Sequence, residues 1–206
     1  MKNLCIVAII ATFSFTSINA QEFNIGAKAG VNFASITGDE TDDLDSRTSF
    51  HIGAVAEIPI SDKFSVQPEL LYSGQGAKAE SLLGEVKFKY DYLNLPVIAK
   101  YYVVEGLSLE AGPQVGLLLS AKVETDEDIL IELATSKNAK ADVDVKDEVS
   151  DIDFGLKFGV GYKLESGLNF GAHYNLGLSN TYDGTGSNNF NNKNGVIQVS
   201  VGYYFL

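Results

Sequence analysis

The 206-residue chain has a single cysteine, two histidines and 15 lysines and arginines against 27 acids. Cys5 lies at the extreme N-terminus, so a mature chain that has lost its leader holds no thiol. No disulfide then staples it, and no thiolate serves as nucleophile or metal ligand. The formal net charge of −12 argues against nucleic acid or an anionic surface as partner, because phosphate binding depends on clustered cations. No phosphate-cradling glycine loop and no cysteine–histidine metal cluster occurs, and no cofactor is expected. The apolar stretch Leu4 to Phe15 is shorter than the roughly 20 residues a spanning helix needs. With Lys2 before it and Thr16 to the small Ala20 after it, the stretch has the layout of a secretory signal peptide. Cleavage after Ala20 leaves residues 21–206 as one domain, since no linker divides them. Cys5 precedes the apolar run, whereas a lipid-attachment cysteine would follow it, so a lipoprotein is not expected.

What the chain does have is alternation. Beyond Gln21 apolar residues recur at every second position, the period of a strand with one apolar face. Phe23, Ile25, Ala27, Ala29, Val31 and Phe33 alternate with Asn24, Gly26, Lys28, Gly30 and Asn32. The rhythm is cleanest where Ile152, Phe154, Leu156, Phe158, Val160, Tyr162 and Leu164 alternate with Asp153, Gly155, Lys157, Gly159, Gly161 and Lys163. Six further segments follow it, beginning near Phe50, Phe64, Phe88, Leu109, Leu168 and Ile197. Short turns near Pro59 to Lys63, Val104 to Gly106 and Glu165 to Gly167 alternate with long polar links over residues 37–49, 75–85, 122–150 and 181–194. In an antiparallel barrel this places every short turn at one end and every long loop at the other, as in outer-membrane barrels. The expected fold is all-β: an eight-stranded antiparallel up-and-down transmembrane β-barrel with both termini on the periplasmic side.

A soluble, lipocalin-like barrel alternates equally well with its apolar face inward. Residue identity separates the two. The non-apolar face is crowded with glycine, serine and asparagine plus isolated charges, which suits the cramped lumen of eight strands. On the apolar face, Phe23, Phe64, Tyr101, Tyr162, Phe170, Tyr203 and Phe205 gather toward the short turns. Phe33, Phe50, Tyr72, Phe88, Tyr90 and Phe154 gather toward the loops, giving two interfacial girdles. Pro68, Pro96 and Pro113 fall inside strands, where each removes a ladder donor, so local bulges are expected there. The fourth strand slips phase, with Tyr90 and Tyr92 and then Leu93, Leu95, Val97, Ala99 and Tyr101 assigned outward. That predicts one extra residue, a β-bulge, at Tyr92 and Leu93.

Tyr92-Leu93-Asn94-Leu95-Pro96-Val97, Gly112-Pro113-Gln114-Val115-Gly116-Leu117-Leu118, Asp153-Phe154-Gly155 leading to Gly159-Val160-Gly161-Tyr162, and His173-Tyr174-Asn175-Leu176-Gly177-Leu178 form an ordered set. This set resembles the PorT-like outer-membrane β-barrel family common in Bacteroidetes. The resemblance implies an eight-stranded outer-membrane barrel. The family's namesake takes part in protein secretion, but most of its relatives share only the barrel, so secretion does not carry over. The ending Gly202-Tyr203-Tyr204-Phe205-Leu206 is similar to the aromatic-ended last strand read by the barrel-assembly machinery, with Leu206 departing from it.

Candidate chemistry is sparse. His51 lies close in sequence to Ser49 and Asp45, the composition of a hydrolase triad at the outer rim, but a triad is recognised by geometry and not by proximity. A lumen or rim histidine is the plainer reading, and His173 is expected inside beside Asn175. Lys28, Glu57, Glu69, Lys89, Asp91, Lys100, Glu110, Asp153, Lys157 and Lys163 are assigned inward as a salt-bridged plug, since buried charge must be paired. Asp39, Glu40, Asp42, Asp43 and Asp45, then Glu124, Asp126, Glu127 and Asp128 with a later group around Asp142, Asp144, Asp147 and Glu148, make acidic loops. They lack the spacing of a calcium loop. The expectation is a monomeric, non-enzymatic barrel with no catalytic, cofactor or metal residues. Its expected partners are outer-membrane lipid and lipopolysaccharide, the barrel-assembly machinery, and an unidentified extracellular or periplasmic protein. A narrow pore, a lipid-modifying enzyme and a soluble binding barrel are the alternatives.

Overall fold

The computed structural model describes residues 23–39, 41, 43–81, 84–125, 142–182 and 191–205. The signal-peptide expectation for residues 1–20 lies outside the described residues, as do Glu40, Asp42, Asp126, Glu127, Asp128 and Leu206.

Eight long strands close on themselves: β1 (Asn24–Thr37), β2 (Leu44–Ser61), β3 (Phe64–Ser81), β4 (Gly84–Val104), β5 (Leu107–Thr125), β7 (Ile152–Lys163), β8 (Leu168–Gly177) and β9 (Lys193–Tyr204). Each pairs antiparallel with its neighbours, and β1–β9 and β4–β5 pairing completes the ring. A short ninth strand, β6 (Asp142–Asp144), which the alternation did not signal, adds to the free edge of β5 above the start of β7. Closure pairs the strand edges that hydrocarbon could not satisfy. The short turns hold Gly106 and Gly167 at φ of 79° and 88°, a left-handed backbone open to glycine without steric cost.

The facing follows residue type. Phe154, Phe158 and Tyr162 are 53, 46 and 46% exposed, while Asp153 and Lys157 are 7 and 1% exposed, so the greasy face lies outside and the charged face inside. A soluble barrel with an apolar interior would show the reverse. Phe23, Tyr101, Tyr162, Phe170, Tyr203 and Phe205 form the exposed aromatic band at the short-turn end, and Phe33, Phe50 and Phe154 the band at the loop end. The walls are unequal: β4 has 21 residues and β8 has 10. A tilted strand crosses a bilayer in roughly 9–11 residues, so β2 to β5 stand as a tall wall beyond the loop-side band.

Four expectations are corrected by that wall. Residues 75–81 and 84–85 are strand and not loop, because β3 runs to Ser81 and β4 begins at Gly84, paired in register from Ser81–Gly84 onward. Tyr90 and Tyr92 point inward, at 8 and 0% exposure, and Phe88 packs with them. Lys89 and Asp91 accordingly lie on the outer face. The ladder is regular through Tyr92 and Leu93 against both neighbours, and the irregularity lies one step earlier: Asp91 pairs with Ser120 but Tyr92 with Leu118, so the extra residue is Leu119 of β5. The physical reason is that polarity inverts above the bilayer. There the outer face meets water and carries Lys78, Lys87, Lys89 and Lys122, while the inner face is dry. A phase slip in hydrophobicity therefore needed no slip in the backbone.

The prolines also behave differently from expectation. Pro68 pairs with Val97 and Leu71 with Asn94, while Pro96 pairs with Gln114 and Ala99 with Ala111, so the register is unshifted across the gaps. Pro113 sits opposite Leu156 with no shift either. Proline deletes a donor without adding a residue, so it leaves a hole in the ladder and not a bulge.

Candidate functional site

Because side chains alternate, each strand sends its even- or odd-numbered residues into one narrow lumen, where they stack in layers. Nearest the short turns is a network of ions. Glu69 accepts from Lys28 Nζ at 2.6 Å, Lys157 Nζ at 3.0 Å and Gln67 Nε2 at 2.6 Å. Glu57 takes Lys163 at 3.2 Å and Lys100 at 3.6 Å, and the Tyr102 hydroxyl donates to it at 2.5 Å. Glu110 lies 2.6 Å from His173 Nε2 and 3.4 Å from Lys100, and Ser108 donates to it at 2.7 Å. Gln67 joins the parts, accepting from Lys100 at 3.2 Å and from the Tyr204 hydroxyl at 2.5 Å. Glycines make room for these large groups: a β-carbon at Gly171 would meet the His173 ring at 2.7 Å, and one at Gly161 would crowd Ser108 and Glu110.

Above this lies an uncharged layer. Asn32 donates to Ser73 at 3.0 Å and to the Gly74 carbonyl at 2.8 Å, and its oxygen receives Gln198 Nε2 at 2.9 Å and faces His51 Nδ1 at 2.7 Å. Ser49 donates to the Gly74 carbonyl at 2.6 Å, and Asp45 pairs with Lys78 beyond a register shift between Ser46 and His51. The structure therefore does not assemble Ser49, His51 and Asp45 into a triad. Asn94, Gln114, Asn175 and Asn194 share this region with Asp153, all buried.

An apolar stopper closes the outer mouth. Ile36, Ala77, Tyr90, Tyr92, Leu118, Ala121 and Val149 form one buried cluster, with Leu44, Phe88 and Val145 against it. Val145 and Val149 come from the segment after β6, which crosses the mouth as a strap. It is tied by Val145 N to Ala121 O at 3.0 Å, by a bridge between Val149 and Tyr182, and by Ser150 N to Thr181 O at 2.9 Å. The long acidic link expected over residues 122–150 thus ends in a tied segment with a buried apolar side. Val145 and Val149, set in an otherwise charged run, are the signal available in the sequence.

Of the ten residues assigned inward, eight line the lumen: Lys28, Glu57, Glu69, Lys100, Glu110, Asp153, Lys157 and Lys163. His173 is inside as expected, beside the equally buried Asn175, with Glu110 as its hydrogen-bond partner. Lys89 pairs with Glu124 on the outer face of the wall. Nearby, hydrogen bonds to Glu80 and Glu85 raise the pKa of Lys78, and those from Lys87 and Lys78 lower that of Glu85. Among the described residues no three His, Cys, Asp or Glu side chains group as a metal site.

The model of a protein family described as "Outer membrane protein beta-barrel domain" matches residues 19–183. Among solved structures, the chain resembles Neisserial surface protein A, at 14% identity and a TM-score of 0.55 over 88% of this chain and 97% of that one. It also resembles Ail, the attachment invasion locus protein of Yersinia pestis, at 16% identity and a TM-score of 0.54 over 89% of this chain and 99% of that one. At such identities the likeness is one of fold. No curated protein matches the chain in sequence.

Proposed function

The chain belongs to the outer membrane protein beta-barrel domain family and is an outer-membrane β-barrel protein, and from that premise we propose that it is a closed, non-enzymatic barrel whose work is done outside the cell. The lumen carries this reading. Its glutamates are paired with lysines, its amides are packed above them, and an apolar cluster stops the mouth, so that among the described residues there is neither an aqueous path past that cluster nor an assembled nucleophile. What remains exposed is the tall β2 to β5 wall with its acidic loops, a rigid surface suited to an extracellular partner and to contact with lipopolysaccharide. A signal peptide cleaved after Ala20 and affiliation with the PorT-like group are part of the same proposal, resting on the N-terminal pattern and the ordered motifs.

Two measurements test it. Purified protein in planar bilayers is expected to give no stable conductance steps, and reproducible single-channel steps would replace the closed reading with the narrow pore. A membrane-impermeant amine reagent applied to intact cells is expected to label Lys78 and Lys87 on the wall while sparing Lys63 in the β2–β3 turn. Labelling of Lys63 alone would invert the orientation and with it the outward-facing function.

A further inference from the structure

Of the four carboxylates in the lumen, three are matched by lysines: Glu57 by Lys163 and Lys100, Glu69 by Lys28 and Lys157, and Glu110 by Lys100. Asp153 has no lysine or arginine within ion-pair distance among the described residues. Its contacts are neutral: Ser179 donates to Oδ1 at 2.6 Å and Asn194 Nδ2 to Oδ2 at 3.3 Å. It is nonetheless buried. A carboxylate withdrawn from water without a counter-charge is unfavourable by several kcal/mol, on the order that drives such groups to find a partner.

The surroundings supply the rest of a site. Gln114 Oε1, Asn175 Oδ1, Asn194 Oδ1 and Asn94 Oδ1 are all buried, and none has a hydrogen-bond partner among the described residues; the same holds for the nearby donors Asn94 Nδ2, Asn175 Nδ2 and Gln75 Nε2. Gln114, Asn175, Asn194 and Asp153 line one small cavity, with room for the centre of a single water-sized body, ≈10 Å³. Asn94 on β4 approaches Asp153 from beside the cavity: a β-carbon on the intervening Gly116 would meet Asn94 Oδ1 at 2.8 Å and Asp153 Cβ at 3.5 Å. Buried oxygen acceptors are seldom left unsatisfied. Hard cations take carboxylate and carbonyl oxygens, and one carboxylate among neutral amides balances one positive charge.

We propose that Asp153, with the amide oxygens of Asn94, Gln114, Asn175 and Asn194, holds a small monovalent cation of sodium's class between the ion-paired plug and the strap. The cation supplies the charge that lysines supply to the three glutamates. The strap carrying Val149 closes the mouth, so exchange with the medium requires the loop end to open locally.

The test reads the temperature at which detergent-folded barrel loses its fast-migrating band on an unboiled gel. Sodium chloride is exchanged for N-methyl-D-glucamine chloride at constant ionic strength, with calcium chloride as a further arm. Sodium is expected to raise the midpoint saturably, and Asp153→Asn to abolish the dependence. Gln114→Leu, which keeps the carboxylate, is expected to weaken the apparent sodium affinity by about tenfold, the loss of one charge–dipole contact. Should Asp153→Asn fail to fold, the Gln114→Leu shift carries the test. No sodium-specific shift in the unaltered chain means that Asp153 is neutral and hydrated by water, which overturns the proposal. A shift unaltered in the variants, or one given by calcium and not by sodium, overturns it as well.

Discussion

Replacing Glu69 with leucine is expected to destabilise the folded barrel by about 3–5 kcal/mol, the cost of stranding buried charge. Glu69 is the acceptor for two lysines from opposite walls, Lys28 on β1 and Lys157 on β7, at 2.6 and 3.0 Å. Its side chain is 0% exposed, and those of the lysines are 5 and 1% exposed. Leucine would remove the carboxylate and leave both ammonium groups buried in the lumen without their counter-charge. The penalty belongs to the stranded partners and not to the pair itself, since a buried ion pair is often no more stable than a well-packed apolar substitute. The combined Lys28→Met, Glu69→Leu and Lys157→Met variant should therefore recover most of the loss. Urea titration in phospholipid vesicles, scored by gel mobility, measures both. A single-variant loss below about 1 kcal/mol, the range of solvated pairs, would mean that the lysines reach water and that the plug is open.

The same physics decides how much of the architecture was legible. In β1, β7, β8 and β9 one face meets hydrocarbon and the other a crowded lumen along nearly the whole strand, so alternation, together with the glycine, serine and asparagine of the inner face, places Phe154, Phe158 and Tyr162 outside. In β4 the rule holds only as far as the bilayer does. Leu95, Val97 and Tyr101 are greasy because they face lipid, while Phe88, Tyr90 and Tyr92 are greasy because they face a dry stopper. One hydrophobic score has two opposite meanings on one strand, and the boundary between them leaves no mark in the sequence. Read as a single environment, β4 demands a bulge; read as two, it is straight.

The lumen was legible in its chemistry and opaque in its pairing. That Lys28, Glu57, Glu69, Lys100, Glu110 and Lys157 would have to neutralise one another follows from their type and their phase. Which lysine meets which glutamate depends on the stagger between strands far apart in sequence, such as Lys157 and Glu69, and no local pattern encodes that stagger. The strap was missed for a related reason: Val145 and Val149 sit among acids, and only their position over Tyr90 and Tyr92 gives them a buried face. Gln67 shows the same limit, as an ordinary lumen glutamine by sequence that in space links Glu69, Lys100 and Tyr204.

Placing an arginine at Val199 is expected to cost about 2–4 kcal/mol, whereas one at Tyr203 should cost only about 0–1, because the penalty for lipid-facing charge depends on depth. Val199 pairs with Val31 and Ala172 midway along β9, on the outer face between Ile197 and Val201, all three exposed. Tyr203 lies in the short-turn aromatic band, its ring 5.6 Å from that of Phe205, where a guanidinium can reach the headgroups. The neighbouring Gln198 faces the lumen and hydrogen-bonds Asn32, so the effect at Val199 reports the outer surface alone. Measured by urea unfolding in vesicles, the difference between the two positions is the depth gradient of hydrocarbon. A barrel standing in water would show none, because an arginine on either solvated position would be almost neutral. Equal, small losses at Val199 and Tyr203 would therefore remove the bilayer from the account of this fold.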